Sequence, residues 1–258
     1  MEEKRGATTK LYSNEYMSIK KQGAKTDLTN FLALFYTQIL IYSLEIILMA
    51  QIIAVLNQKG GSGKTTIATN LAHALKLADA KVLLVDSDPQ GSARDWNEAN
   101  GGQLLPVVGL DRETLATDLK AIIGGYDFVV IDGAPQVARL AAAAVKSADV
   151  VLIPVQPSPY DIWAAADLVE VIKARQEITN GKPAAAFLIS RAIKNTKLSG
   201  EVAEALEGYG FPILAHGTTQ RVIYPTSAAV GQTVFSEPGN PAIEEIEAIA
   251  KDVLELLP

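Results

Sequence analysis

The chain has 258 residues, 48% of them hydrophobic, which suits one large α/β domain or one domain with an extension. It has no cysteine, which excludes disulfides and thiolate-held metals, and its two histidines, His73 and His216, stand far apart in unrelated contexts and read as structural or surface residues. The net charge is −6, so contact with nucleic acid would have to come from a local patch rather than the overall field.

The first 48 residues differ from the rest. They carry six Lys/Arg and five acids, a net of +1, which leaves −7 for the remainder. Residues 31–48 (FLALFYTQILIYSLEIIL) are strongly apolar and approach the ~20 residues of a membrane span. Thr37, Gln38, Ser43 and Glu45 interrupt the run, a carboxylate there is costly in lipid, and no small-residue cleavage site follows. Met49 stands directly before the first predicted strand, and 49–258 is domain-sized. Three readings of 1–48 stay open, in this order: an upstream-extended start, an extra helix packed on the domain, and a membrane anchor.

Ile52–Leu56 reads as a buried strand, and Lys59-Gly60-Gly61-Ser62-Gly63-Lys64-Thr65 follows as a glycine-rich loop. From Thr66 to Leu77 the apolar spacing is helical. Strand, glycine loop and helix together make a phosphate cradle: glycines let backbone N–H groups converge, and the helix N-terminus adds partial positive charge. Gly60, Gly61, Ser62, Gly63, Lys64, Thr65 and Thr66 are the predicted nucleotide-binding set. Lys64 would reach the terminal phosphates, and the Thr65 hydroxyl would face Mg²⁺.

The usual G-x-x-x-x-G-K-[ST] spacing needs glycine at 58, where this chain has Gln58, and a second lysine, Lys59, opens the loop. That pattern resembles the deviant Walker A motif, KGGxGK[ST], of the ParA/MinD superfamily of ATPases. The resemblance implies that Lys59 reaches across a dimer interface to the partner's nucleotide.

Ala80–Val85 is a second predicted strand, ending in Asp86-Ser87-Asp88-Pro89-Gln90. A carboxylate at the carboxyl end of a parallel strand can orient a water and take its proton. VDxDPQ also resembles the superfamily's second signature, which implies that Asp88 positions the attacking water and Asp86 lies near the Mg²⁺ shell. Ser92–Asn100 reads as a short helix with Trp96 packing, Leu104–Val108 as a strand, and Asp111 as the N-cap of a helix running to Ile123. Phe128–Ile131 followed by Asp132 is a Walker B pattern, with Asp132 holding Mg²⁺ through a water. Gly133-Ala134-Pro135 resembles the family's second switch loop.

A helix is predicted over Val137–Ser147 and a strand over Asp149–Val155. Pro157-Ser158-Pro159-Tyr160-Asp161 then leads into a predicted helix Ile162–Ile178, with Asp161 as its N-cap. This stretch resembles the short plasmid-partition ATPases of the ParF kind. Ala184–Ile189 is the next strand, and its end, Ser190-Arg191, is implied by the resemblance to approach the adenine, although asparagine is common where Ser190 stands. Phe211–Ala215 reads as a last strand. Thr218–Val234 resembles the family's TxRxxY…GxxV segment, which implies that Arg191, Lys194, Lys197 and Arg221 form a thin DNA-contacting set. Ala242–Leu257 is an acidic amphipathic helix, the wrong charge for an anionic lipid surface.

Alternating strands and helices predict a P-loop NTPase fold: a doubly wound, mostly parallel sheet with helices on both faces. The resemblance covers 49–258 and implies a Mg²⁺-ATP-dependent dimerising ATPase that segregates plasmid or chromosomal DNA. It implies non-specific DNA binding as the ATP dimer, higher assemblies, and a centromere-binding adaptor of the ParB/ParG kind. Such a protein would be cytoplasmic and nucleoid-associated in a bacterium, with no membrane partner. A MinD-like membrane-associated positioning ATPase is the alternative.

Overall fold

The computed structural model describes residues 50–135, 138–193 and 198–257. The predicted extension 1–48, and the predicted DNA contacts Lys194 and Lys197, lie outside the described residues. Strands β1 (Gln51–Val55), β2 (Val82–Asp86), β3 (Val107–Gly109), β4 (Phe128–Asp132), β5 (Val150–Val155) and β6 (Ala184–Ile189) form one sheet in the order β3-β2-β4-β1-β5-β6. Every neighbouring pair is parallel. β2 and β5 are buried at every position. A strand covered on both faces needs such an unbroken apolar run.

Helices α1 (Lys64–Leu77), α2 (Ser92–Ala99), α3 (Leu115–Ile122), α4 (Ala138–Ser147), α5 (Pro159–Trp163), α6 (Ala166–Ile178), α7 (Leu198–Glu207), α8 (Ile223–Ala229) and α9 (Pro241–Leu256) complete the fold. Alternate strand residues sort into two cores. Ile53 and Val55 pack with Leu71 of α1, Trp96 of α2 and Ile249 of α9, while Ile52, Ala54 and Leu56 pack with Leu119 of α3, Ala144 of α4 and Leu168 of α6. Connections running toward β3 therefore place their helices on one face, and those running toward β6 on the other. Right-handed crossovers require that division. Among the described residues, no helix is long and apolar enough to cross a membrane.

Four local expectations change. The strand expected at Leu104–Val108 forms at Val107–Gly109. The strand expected at Phe211–Ala215 is reduced to a single parallel bridge, Phe187↔Ile213. The helix expected over Ile162–Ile178 is two, α5 and α6, parted at Ala164–Ala165. Asp111 is not an N-cap: α3 begins at Leu115 behind Thr114, and Asp111 instead accepts from Arg94 Nη2 at 3.0 Å.

Candidate nucleotide site

The register places the chemistry. β1, β2 and β4 end level, with Val55 beside Asp132 and Asp132 beside Asp86. β1 is central, and its outgoing connection leads toward β3 while that of β5 leads toward β6. Ligands of open α/β sheets bind in the crevice at such a switch point. A cavity of about 400 Å³ opens there, lined by Gly60, Gly61, Gly63, Lys64, Thr65 and Asp88 at one end. Ser190 and Arg191 stand beside that loop, and Thr218, Thr219, Gln220, Arg221 and Tyr224 form a further wall. The volume suits a nucleotide.

Gly61 (φ 77°) and Gly63 (φ 100°) hold the loop in left-handed conformations open to glycine at no steric cost. At Gly63 a Cβ would also meet Ser190 Oγ at 2.8 Å. Asn57 Nδ2 donates to Pro154 O at 2.7 Å, and Gln156 Nε2 to Gly61 O at 2.6 Å, so the end of β5 and the residue after it brace the loop after β1. Lys64 is buried, and Nζ donates to Lys59 O at 3.1 Å. Burial lowers its pKa, against which Asp132 and Asp88 pull upward.

Thr65 Oγ1 donates to Asp132 Oδ2 at 2.7 Å, which joins the glycine loop to the end of β4. Asp132 is fully buried, and its Oδ1 has no protein hydrogen-bond partner. Burial pushes its pKa up to about 7, against the Thr65 hydrogen bond that lowers it. A buried carboxylate with an orphaned oxygen beside a threonine hydroxyl fits a hydrated divalent cation, since Mg²⁺ takes few direct protein ligands. A raised folded-state pKa means that stability is present below about pH 4 and lost as the pH rises toward 7. Asp132→Asn is therefore expected to raise the thermal midpoint of the nucleotide-free protein, by an increment that grows from pH 4 to 7 and then levels. Denaturation scans at pH 4.5, 6 and 8 check this.

Asp88 lines the cavity, and its Oδ1 accepts from Gln90 N at 2.9 Å. Asp86, expected near the metal shell, has both oxygens engaged. Oδ1 accepts from Asp88 N at 3.0 Å, and Oδ2 from Arg94 N at 2.9 Å. Its observed work is to hold the turn that carries Asp88. Arg94 completes that brace: Nη2 donates to Asp88 O at 2.8 Å and Nε lies 3.4 Å from Asp86 Oδ2. Gly109 leaves room for this guanidinium, since a Cβ there would meet it at 3.0 Å.

Lys59 does not line the cavity. Its Nζ donates to Asp161 Oδ2 on α5, and Asp161 is buried. Asp161 is thus not the N-cap expected of it. Ser158 occupies that position, and the Asp161 carboxylate pairs with a loop lysine 102 residues earlier. Arg191 lines the cavity as expected and lies within reach of Gly61 O, Nη1 to O 3.4 Å. Arg221, expected on a DNA-facing surface, is turned into the cavity wall instead. Its Nε donates to Glu245 Oε1 at 2.9 Å, and only 23% of the side chain is exposed. Sequence reading missed Gln156, Arg94 and Glu245, for which spacing alone carries no signal. His73 and His216 are structural, bonded to Thr233 and Asp252.

Comparison with known proteins agrees with this geometry. The sequence family described as the CobQ/CobB/MinD/ParA nucleotide binding domain matches residues 53–234. The maintenance of carboxysome distribution protein A of Halothiobacillus neapolitanus is 33% identical over 208 residues, covering 78% of this chain and 95% of that protein. Protein ParA of Rhizobium radiobacter is 28% identical over 218 residues, covering 80% and 97%. Among solved structures, the septum site-determining protein MinD of Pyrococcus horikoshii, complexed with Mg-ADP, superposes with a TM-score of 0.64 at 19% identity, covering 81% of this chain and 97% of that one. A match over more than half the chain, with a six-stranded parallel sheet and a glycine-loop cavity at its switch point, places this protein in the ParA/MinD superfamily of nucleotide-binding ATPases.

Proposed function

We propose that the chain is a Mg²⁺-ATP-dependent dimerising ATPase that distributes copies of a cellular cargo, with plasmid or chromosomal DNA as the first reading. The observation that carries this is the pair of loop lysines in different states. Lys64 faces the phosphate end of the cavity, whereas Lys59 is held out of it by Asp161. A lysine that its own cavity does not use can serve a second subunit once it leaves Asp161. Residues 49–258 would carry the activity, and the family match, 53–234, falls within them.

Gly60 to Thr66 would hold the ATP phosphates, with Arg191 beside them. Thr65 would hold Mg²⁺ directly and Asp132 through water; the ion supplies charge neutralisation at the phosphates. Asp88 would orient the attacking water and accept its proton. Lys64, together with Lys59 of a second subunit, would stabilise the charge that develops on the transferred group. Non-specific DNA binding by the ATP dimer and stimulation by a ParB/ParG-like adaptor complete the cycle, at the nucleoid in the bacterial cytoplasm. Among the described residues Arg191 is left as the candidate phosphate contact, because Arg221 is committed to Glu245.

A second reading is favoured by the 33% identity with the carboxysome distribution protein: the cargo would be a protein body of the carboxysome kind. Light scattering and DNA co-sedimentation of the full chain, with and without Mg²⁺-ATP, test the proposal. ATP should produce dimers that sediment with random-sequence DNA and release it as salt rises. Monomers at saturating ATP would sink the dimerising switch. ATP dimers indifferent to DNA would sink the DNA-cargo reading.

A further inference from the structure

The geometry points to Glu245, on the C-terminal helix α9 and outside the cavity, as the positioning residue that sets the wall against which the non-phosphate part of the nucleotide rests. This rests on the nucleotide reading above and adds a determinant remote from the glycine loop. One carboxylate gathers most of that wall. Glu245 Oε2 accepts from Thr219 N at 3.1 Å and from the Tyr224 hydroxyl at 2.9 Å. Oε1 accepts from Thr219 Oγ1 at 2.6 Å and from Arg221 Nε at 2.9 Å and Nη2 at 2.8 Å. Thr219, Arg221 and Tyr224 all line the cavity.

The hub also reaches the phosphate loop. Thr219 forms a parallel bridge with Ala192, Gln220 N donates to Ala192 O at 2.9 Å, and Arg191 N donates to Thr218 Oγ1 at 3.0 Å. The same Ser190–Arg191 strand end touches the loop, Ser190 Oγ donating to Ser62 O at 2.8 Å and Arg191 lying near Gly61 O. The glycine loop keeps its own braces through Asn57 and Gln156, so removing the anchor of 219–224 frees the wall and leaves the phosphate cradle in place.

Glu245 is suited to this as an acceptor-only group. Burial would raise its pKa, but the donors Arg221, Thr219 and Tyr224 hold it below the ordinary carboxylate range, so it is ionised at neutral pH. Tyr224 moves the other way, raised by burial and then by the Glu245 charge, and stays a neutral donor. Charge-assisted hydrogen bonds of this kind are the strong ones, and leaving several buried donors unpaired lets the segment move.

The test compares the full-length native chain with Glu245→Ala, Glu245→Gln and the exposed neighbour Glu247→Gln. The readouts are binding of Mg²⁺-ATP and of Mg²⁺-tripolyphosphate, steady-state hydrolysis and thermal midpoint. Glu245→Ala should weaken ATP binding about tenfold and raise KM in step, with kcat at saturation nearly unchanged. Tripolyphosphate, which never touches the wall, should bind as before. Glu245→Gln, which keeps an acceptor oxygen, should recover much of the loss, and Glu247→Gln should match the native chain. Unchanged ATP affinity in Glu245→Ala overturns the assignment. So does an equal loss for ATP and tripolyphosphate with a lowered midpoint, which would mark general loosening. A native chain that binds no ATP sinks the nucleotide reading itself, whereas native binding with an unaltered variant sinks this inference alone.

Discussion

An Asp88→Ala variant is expected to bind Mg²⁺-ATP as tightly as the native chain and to hydrolyse it at least about 100-fold more slowly, the usual contribution of a positioned general base. The loss should be confined to chemistry because the carboxylate is not part of the cradle. Phosphate would be held by the loop from Gly60 to Thr66, whereas the turn bearing Asp88 is held through its backbone. Asp88 N donates to Asp86 and Asp88 O accepts from Arg94, so both contacts survive removal of the side chain. Single-turnover hydrolysis alongside equilibrium binding separates the two effects. Parallel loss of affinity and rate would mean that Asp88 shapes the cavity rather than the reaction. Native-like turnover would remove it from the mechanism.

Lys59 and Asp161 should give opposite phenotypes, although each variant breaks the same ion pair. Lys59→Ala removes the proposed trans contact, and ATP-dependent dimers should disappear at all ATP concentrations tested. Asp161→Asn removes only the group that holds the lysine in its own subunit, and dimers should form at several-fold lower ATP or protein concentration. The reasoning is population arithmetic: if the lysine must leave Asp161 before it can cross, apparent affinity is reduced by the fraction of chains in which it is already free. Asp161 is buried and Lys59 half-exposed, so Lys59→Ala also strands a carboxylate and should unfold more easily than Asp161→Asn. Sedimentation velocity with a non-hydrolysable ATP analogue, read against thermal midpoints, distinguishes lost crossing from lost stability. Robust dimers from Lys59→Ala would end the trans-lysine role. Equal dimerisation by native chain and Asp161→Asn would mean that the intrachain pair exerts no restraint.

The parts of the site that were legible in sequence are those made by neighbours along the chain. Lys59 to Thr66 declares itself because a phosphate cradle needs glycine and lysine at fixed short spacing after a strand. Asp132 is weaker alone, since four apolar residues and an aspartate are common, and it gained meaning from its place after the other two motifs. The parts that were not legible are pairings between distant residues. Asp161 read as a helix cap because aspartate before a helical run usually is one, and its partner lies 102 residues away. Arg94 meets Asp111 across 17 residues, and Thr219 meets Glu245 across 26. Such contacts are set by how helices seat on the sheet, and periodicity does not encode them. The split of the expected 162–178 helix has the same origin: α5 is turned so that Asp161 faces the glycine loop, and α6 restarts beyond it.

The central position of β1 also dictates when during synthesis the site can exist. Its strand partners are not its sequence neighbours: Ile53 pairs with Val130 on one side and Val150 on the other. The strand beneath the glycine loop gains its first partner, β4, only after roughly 75 further residues have been translated, and its second, β5, after roughly a hundred. Pairings of such long sequence separation are slow to close. A nucleotide that needs the crevice beside β1 would therefore meet it only once both strand partners are in place, late in folding rather than as its nucleus.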